Sequence, residues 1–462
     1  MRILFITPRR SPFTGEWISA PNQGLLSMAS SIREGIFFDT KNVEVVYVDD
    51  QLESLKNPQQ LPGAYIASIK PDIVAIQAIT SNLSNAIHLS KKTKALFPST
   101  LVVMGGLAPT QRWNDLLKEN SSIDVIVCSE GEITFSELVF EYGCNGKKNF
   151  DLIKGISYKD GNGEIMHNPE REKIHDLDIL PFPARDIADM DTYLRVSKGR
   201  AGNLITSRGC SYICAYCYSK HQWGVGRRKQ SIMRAIEEIR YMLEEYGIDR
   251  IRIEDDDFIE DKNWIMDFCR NLIDTGLASK IEWEAKGRPN LMQAELLTLL
   301  RNAGCFRLMM GVETLNPELL KKLQRGITVE RTERAMQTMK NTGIAIQATV
   351  ILGIPGEPVS SIRKTLNWLD EKLSGRDIVG ACFFTPFDRV KEDMAQKLDY
   401  KIEIDNIDCY TGHMPVTSST ACSYEELWHL YEDMGSNRIG VFDRLGHLAT
   451  RNIVSNRITS DH

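Results

Sequence analysis

The chain has 462 residues, 42% of them hydrophobic and 26% charged, and a formal net charge of −6. Its length exceeds one ordinary core and predicts two or three domains. No run of 18 apolar residues offers a membrane span, and the acidic balance excludes a nucleic-acid binder held by a basic face.

The N-terminal run Met1-Arg-Ile-Leu-Phe-Ile-Thr7 lacks the order of a secretory signal and reads as a first strand, so the protein is expected in the cytoplasm. There its ten cysteines are expected to stay reduced. Short Val/Ile-rich runs at 3–7, 43–48, 73–77, 101–104 and 125–128 alternate with helical stretches, the first near 24–33. This pattern predicts an α/β, Rossmann-like, doubly wound parallel sheet over residues 1–145. Ligands of such sheets bind beyond the carboxyl ends of the strands, where the sequence places Thr7-Pro8, Asp49-Asp50, Ala78 to Asn82 and Gly105-Gly106.

Residues 146–195 read as a linker with a small hairpin around Lys159-Asp160-Gly161. It is followed by Leu180-Pro-Phe-Pro-Ala-Arg-Asp186, whose two prolines break regular structure. From 196 to 390 the alternation restarts. Strands are expected at 203–206, 250–254, 280–285, 306–311, 346–352 and 380–384. Helices are expected at 231–246, 262–274, 291–302, 317–323, 329–341 and 359–373. Six β/α steps predict a partial (β/α)6 TIM barrel with functional residues at the carboxyl ends of its strands. The remainder, 391–462, reads as a small C-terminal helical region around 424–434 and a polar tail.

Immediately after the first barrel strand comes Ser207-Arg-Gly-Cys210-Ser-Tyr-Ile-Cys214-Ala-Tyr-Cys217-Tyr218. Thiolates are soft ligands for zinc or iron–sulfur clusters. A structural zinc site needs a fourth thiolate or imidazole, and His221 is the nearby candidate. Three cysteines on one loop instead suit three irons of a 4Fe-4S cluster, leaving the fourth iron open. The other seven, Cys128, Cys144, Cys269, Cys305, Cys382, Cys409 and Cys422, are scattered singly and expected to be buried small hydrophobes.

The CxxxCxxC loop in this setting resembles the signature of the radical SAM superfamily. In that superfamily S-adenosylmethionine (SAM) chelates the open iron, and one electron from the cluster splits it to a 5′-deoxyadenosyl radical. The resemblance makes Cys210, Cys214 and Cys217 the cluster ligands and Tyr216 the aromatic that flanks adenine. Glu254-Asp-Asp-Asp257-Phe258 resembles the acidic segment that meets the SAM ammonium, through Asp256 and Asp257. Lys286-Gly-Arg288 offers a guanidinium for the SAM carboxylate. Met309-Met-Gly-Val-Glu313-Thr resembles the GVET motif, with Gly311 and Glu313 near SAM. Ile351-Leu-Gly-Ile-Pro-Gly-Glu357 resembles the segment whose backbone, at Leu352 and Gly353, meets adenine.

Val103-Met-Gly-Gly-Leu-Ala-Pro-Thr110 and Val125-Ile-Val-Cys-Ser-Glu-Gly-Glu132 resemble the cobalamin-binding domain found in one class of that superfamily. Thr80, Ser81, Gly105, Gly106 and Glu130 are the implied cobalamin neighbours. The DxHxxG motif that supplies an axial histidine is missing, since Asp49-Asp50-Gln51-Leu52-Glu53 contains none. The resemblance implies a cobalamin-dependent methyltransferase acting on a small specialised metabolite, with flavodoxin or ferredoxin as reductant. It leaves open a cobalamin-free dehydratase or lyase acting on a sugar or aminoglycoside, and a non-catalytic zinc or iron–sulfur protein. Pro386, Phe387, Asp388 and Arg389 are expected to line the substrate pocket beside the barrel interior.

Overall fold

The computed structural model describes residues 1–14, 20–40, 42–144, 150–199, 202–387, 394 and 397–435. It forms two compact units, one of residues 1–11 and 20–199, the other of 12–14 and 202–435.

The first unit runs β1 (Arg2–Thr7), α1 (Gln23–Glu34), β2 (Glu44–Asp49), α2 (Asp50–Lys56), α3 (Ile66–Ile69), β3 (Ile73–Gln77), α4 (Leu83–Leu96), β4 (Leu101–Gly105), α5 (Leu107–Glu119), β5 (Val125–Val127), α6 (Gly131–Val139), β6 (Ile156–Lys159), β7 (Ile165–His167) and α7 (Met190–Val196). Its sheet order is β2-β1-β3-β4-β5-β6-β7. The strands from β2 to β5 are parallel, and the β6–β7 hairpin adds as an antiparallel edge. The hairpin foreseen in the linker therefore completes this sheet. Its turn is closed by the Asp160 carboxylate, which accepts from the Asn162 and Glu164 amides at 2.8 and 2.9 Å. The order reverses between β1 and β3, and such a switch point opens a crevice at the carboxyl edge.

The second unit runs β8 (Gly202–Leu204), β9 (Ser207–Arg208), α8 (Ser219–Trp223), β10 (Arg228–Lys229), α9 (Ile232–Tyr246), β11 (Arg250–Ile253), α10 (Lys262–Asp274), β12 (Glu282–Gly287), α11 (Ala294–Asn302), β13 (Cys305–Glu313), α12 (Pro317–Lys322), α13 (Val329–Thr342), β14 (Ala345–Leu352), α14 (Val359–Lys372), β15 (Ile378–Phe383), β16 (Lys401–Ile402), β17 (Thr417–Ser418) and α15 (Tyr424–Gly435). Its main sheet, β8-β11-β12-β13-β14-β15, is parallel throughout and does not close between β8 and β15.

Period-two patterning decides which way each strand faces. Ile251, Ile253, Trp283, Ala285, Leu308, Met310, Ile346, Ala348, Val350 and Val379 are 3% exposed or less and form the face covered by helices. Each covering helix presents an apolar stripe to that face. In α9 the stripe is Ala235, Ile236, Ile239 and Met242. The Ser231 side chain caps the helix start, accepting from the Arg234 amide, and Gly247 ends it at φ 62°. At that φ a Cβ would be strained, so glycine is the natural stop.

Five of the scattered cysteines, Cys128, Cys269, Cys305, Cys409 and Cys422, are buried as expected. Cys382 is not. It lies on the uncovered face of β15 and is exposed, because strand alternation, rather than hydrophobicity, fixes its direction. The Cys144 side chain, Asp388, Arg389 and the polar tail lie outside the described residues; Pro386 is buried and Phe387 half-buried.

Candidate active site: a thiol loop and a cofactor edge

The three-cysteine loop leaves the barrel at β9 and returns at β10, which pairs antiparallel with it. Between them the Cys217 amide donates to the Cys214 carbonyl at 3.1 Å, and Cys210 bridges to Val225. Three consecutive aspartates after β11 hold and furnish this loop. Asp255 accepts from Thr206 N and Oγ1 at 2.7 and 2.6 Å and from Ser207 Oγ at 2.5 Å, and pairs with Arg227 at 3.2 Å. Asp256 accepts from Ser219 Oγ at 2.6 Å, two residues past the last cysteine.

Asp257 differs from both. It is 2% exposed, and neither carboxylate oxygen has a hydrogen-bond partner. Burial and the neighbouring Glu260 push its pKa up to about 7. Cys210 Sγ and the Asp257 and Glu260 carboxylates lie within 4.8 Å of one another, a ligand-like group that does not include His221. Burial likewise raises the Cys210 thiol to about 12 and Cys217 to about 11. Thiols so placed ionise when a metal takes the proton's place.

Two buried guanidiniums converge on Cys214. Arg288, after β12, puts Nη1 3.2 Å from its Sγ and lies 3.6 Å over the Tyr212 ring, while Nη2 donates to the Arg325 carbonyl. Arg325, in the turn after α12, puts Nη1 3.9 Å from the same sulfur. Its Nη2 reaches the Gly311 carbonyl at 3.2 Å and Glu313 Oε1 at 3.5 Å. A Cβ on Gly311 would stand 2.2 Å from that Nη2, so glycine there admits the guanidinium. The Nε atoms of both arginines are buried and unpartnered.

Glu313 sits at φ 63°, a strained value for a non-glycine residue. Its Oε1 accepts from Tyr216 OH at 2.8 Å, and burial raises its pKa. Leu352 is buried, and Gly353 follows at φ 70°, where a Cβ would meet Leu427 at 2.9 Å. The structure thus gathers Cys210, Cys214, Cys217, Tyr216, Asp257, Arg288, Gly311 and Glu313 around one loop. Asp256 is committed to holding that loop. Sequence reading missed Arg325, because a single arginine beyond a helix carries no spacing signature.

At the carboxyl edge of the first sheet, Thr80 is buried and the Ser81 carbonyl accepts from the Ser11 amide at 2.7 Å. The Gly105 carbonyl accepts from Ala78 N at 2.7 Å. Gly106 has φ 112°, and a Cβ there would stand 2.3 Å from the Ala78 carbonyl oxygen. It opens α5, whose start has no side-chain cap. Glu130 is turned to the chain itself, accepting from the Ile174 amide at 2.9 Å. Asp49 accepts from Tyr193 OH at 2.6 Å and from the Gln51 and Leu52 amides at 2.9 and 3.2 Å.

A site-differentiated cluster loop on a six-stranded partial barrel, in a chain that also carries a doubly wound sheet with a glycine-rich edge, defines a radical enzyme with a second cofactor domain. The Radical SAM superfamily pattern matches residues 204–369 and the B12 binding domain pattern residues 20–139. An uncharacterised methyltransferase of Pyrococcus horikoshii is 30% identical over 80% of this chain and 77% of its own length. The cytidylyl-2-hydroxyethylphosphonate methyltransferase of Streptomyces wedmorensis is 27% identical over 65% of this chain, and the match spans 62% of that protein. Among solved structures, TsrM from Kitasatospora setae superposes with TM-score 0.68 at 17% identity, covering 89% of this chain and 83% of that one. The cobalamin-dependent radical enzyme OxsB superposes at 0.66 and 19% identity, over 86% of this chain and 56% of that one. The chain belongs to the radical SAM superfamily, in the cobalamin-dependent methyltransferase family.

A 4Fe-4S cluster, SAM and cobalamin are its cofactors, and the residues fit them. Two guanidiniums at one thiolate suit an anionic cluster, and the unpaired Asp257 carboxylate suits an ammonium. At the edge of the first sheet Gly105 and Gly106 are only half-buried and present no side chain to a large cofactor. Among the described residues no helix is long and apolar enough to cross a membrane.

Proposed function

We propose that the chain methylates an unactivated carbon, or a phosphorus, of a small metabolite. Cys210, Cys214 and Cys217 hold three irons of the cluster. Asp257 binds the SAM ammonium, Arg288 the carboxylate, and Tyr216, Gly311, Glu313, Leu352 and Gly353 line the rest of SAM. When bound, the cluster and SAM supply a 5′-deoxyadenosyl radical that removes a substrate hydrogen, and cobalamin supplies the methyl group. Asp255 and Asp256 fix both flanks of the thiol loop, so ligand geometry is set by the fold. Arg288 and Arg325 offset the cluster's negative charge in a buried place, where hydrogen bonds to a charged group are strongest. Thr80, Ser81, Gly105, Gly106 and Glu130 surround the cobalamin edge. A flavodoxin or ferredoxin delivers the electron.

The observation that carries this reading is the unpaired Asp257 carboxylate facing Cys210. Reconstituted protein should bind a 4Fe-4S cluster, carry extractable corrinoid after expression with cobalamin, and release 5′-deoxyadenosine under dithionite. Cys214→Ala should abolish that release while corrinoid content persists. Zinc in place of iron, with no deoxyadenosine, overturns the proposal; release without any corrinoid reduces it to a cobalamin-free lyase.

A further inference from the structure

The thiol loop takes part in a second donor set, distinct from the three cysteines. Cys210 Sγ and the Asp257 and Glu260 carboxylates lie within 4.8 Å of one another, and among the described residues no other three thiol, imidazole or carboxylate groups come so close. The three cysteines themselves are spread wider than this, as the corners of a cluster require. One of them, with two carboxylates, is instead gathered as the ligands of a single ion are.

Local backbone geometry brings the two carboxylates together. Asp257 precedes a single 3-10 turn, Phe258–Glu260, whose Phe258 and Ile259 are buried. Side chains three residues apart eclipse in such a turn, so anchoring the two apolar residues in the core leaves Asp257 and Glu260 on one side, near Cys210. Asp257 is buried with no partner at either oxygen, and Glu260 is half-buried with one long contact, from the Ser211 amide at 3.4 Å. Cys210 Sγ accepts from the Tyr212 amide, a bond that favours the thiolate a metal needs.

The surrounding charges suit a dication. Of the guanidiniums that face Asp257, Arg227 is paired with Asp255 at 3.2 Å and Arg325 with Glu313 at 3.5 Å, and Arg288 remains. Lys286 answers Glu254 at 3.1 Å and faces Asp256 as well, and Lys229 pairs with Asp261. Both carboxylates and the thiolate, set against Arg288, leave two negative charges.

We propose that, before the cluster is assembled, this set holds one ferrous ion, with Cys210, Asp257 and Glu260 as its protein ligands. One thiolate and two carboxylates suit a borderline cation such as iron(II), cobalt(II) or zinc(II). Bonds of about 2.3 Å to sulfur and about 2.1 Å to oxygen set donor separations of roughly 3.5 Å, which the half-buried Glu260 reaches by turning inward. As the metal–sulfur bond forms, the thiol proton leaves to solvent and no electron moves. The ion then already sits on one cluster ligand, and its oxygen ligands give way as softer thiolates arrive. Asp257 is thereby freed for the SAM ammonium, one cation succeeding another.

The test uses the full chain, stripped of iron and zinc by a chelator under anaerobic conditions and titrated with cobalt(II) alone. One equivalent should bind, with the near-ultraviolet absorption of a single cobalt–thiolate bond. Cys210→Ala should abolish that band, and Asp257→Asn and Glu260→Gln should each weaken binding at least about tenfold. The double variant Cys214→Ala/Cys217→Ala should keep both the band and the affinity. Glu260→Gln is the deciding variant, since a half-buried carboxylate with one long contact does not hold the fold together. A missing band in the unaltered protein, unchanged affinity in Glu260→Gln, or loss of binding in a double variant of unchanged melting temperature overturns the assignment. Deoxyadenosine release by reconstituted protein reads the proposed function separately, so the two fail independently.

Discussion

The carboxyl edges of the two sheets treat their buried charges in opposite ways. Among the described residues of the first unit, the acidic groups Asp49, Asp50 and Glu130 at the edge are each met by the chain. Asp49 takes a tyrosine hydroxyl and two amides, Asp50 takes the Gly63 amide at 3.0 Å and lies in an ion pair 2.8 Å from Arg9 Nε, and Glu130 takes the Ile174 amide. In the barrel, Asp257 has no hydrogen-bond partner and Arg288 and Arg325 each leave a buried Nε unpaired. A buried unpaired charge costs several kcal/mol unless something arrives to meet it. The difference teaches what each edge is for: the barrel keeps charges ready for a small zwitterion, while the first sheet offers glycine and backbone to a bulkier cofactor.

The contrast breaks most readily at Asp257. Asp257→Asn removes one partner of a buried charge pair, a loss of about 2–5 kcal/mol. SAM affinity of the reconstituted protein, read by equilibrium dialysis, should fall thirtyfold or more while corrinoid content stays the same. Unchanged SAM affinity would dissolve the distinction between the two edges.

Glu357 sharpens it, because this barrel carboxylate follows the rule of the first unit. It is 1% exposed, accepts from Thr314 Oγ1 at 2.5 Å and Ser361 Oγ at 2.9 Å, and is pushed by burial from 4.5 to about 7. The folded state therefore holds a proton that the unfolded state has released between pH 4.5 and 7. Stability of the cofactor-free protein should fall as pH rises through that window, by at most about 3 kcal/mol, and level off above it. Chemical denaturation of Glu357→Gln across the same range should show this part of the slope removed; an unchanged slope refutes the assignment.

The smallest effect is expected in the first unit. Tyr193→Phe deletes the hydroxyl that donates to Asp49, leaving the two amide bonds, at a cost of about 1–2 kcal/mol. The urea midpoint of the transition that unfolds this unit should drop while SAM affinity does not change. A parallel loss of SAM affinity would show that Asp49 serves a ligand after all.

Much of this architecture was legible in the chain because parallel strands buried on one face and covered by amphipathic helices write their period openly. Lys262–Asp274 falls where the pattern puts a helix, and all six barrel strands lie within a few residues of their expected places. Less legible was where a strand's register sends a single side chain. Cys382 reads as a core cysteine by composition and faces outward by alternation. The hairpin near Asp160 reads as linker because local sequence does not say which sheet edge it joins. Asp255, Asp256 and Asp257 are indistinguishable as letters, and only the distant partners Thr206, Ser207 and Ser219 separate the two that hold the loop from the one left open. Arg325 depends on a contact across more than a hundred residues, to Cys214, which no local pattern encodes.

The two clasped aspartates also bear on how the loop is tethered. Asp255 grips the chain just before the first cysteine and Asp256 just after the last. Both ends of the thiol loop are thus fastened to the end of a single strand, so a displacement of that strand end would carry all three thiols with it.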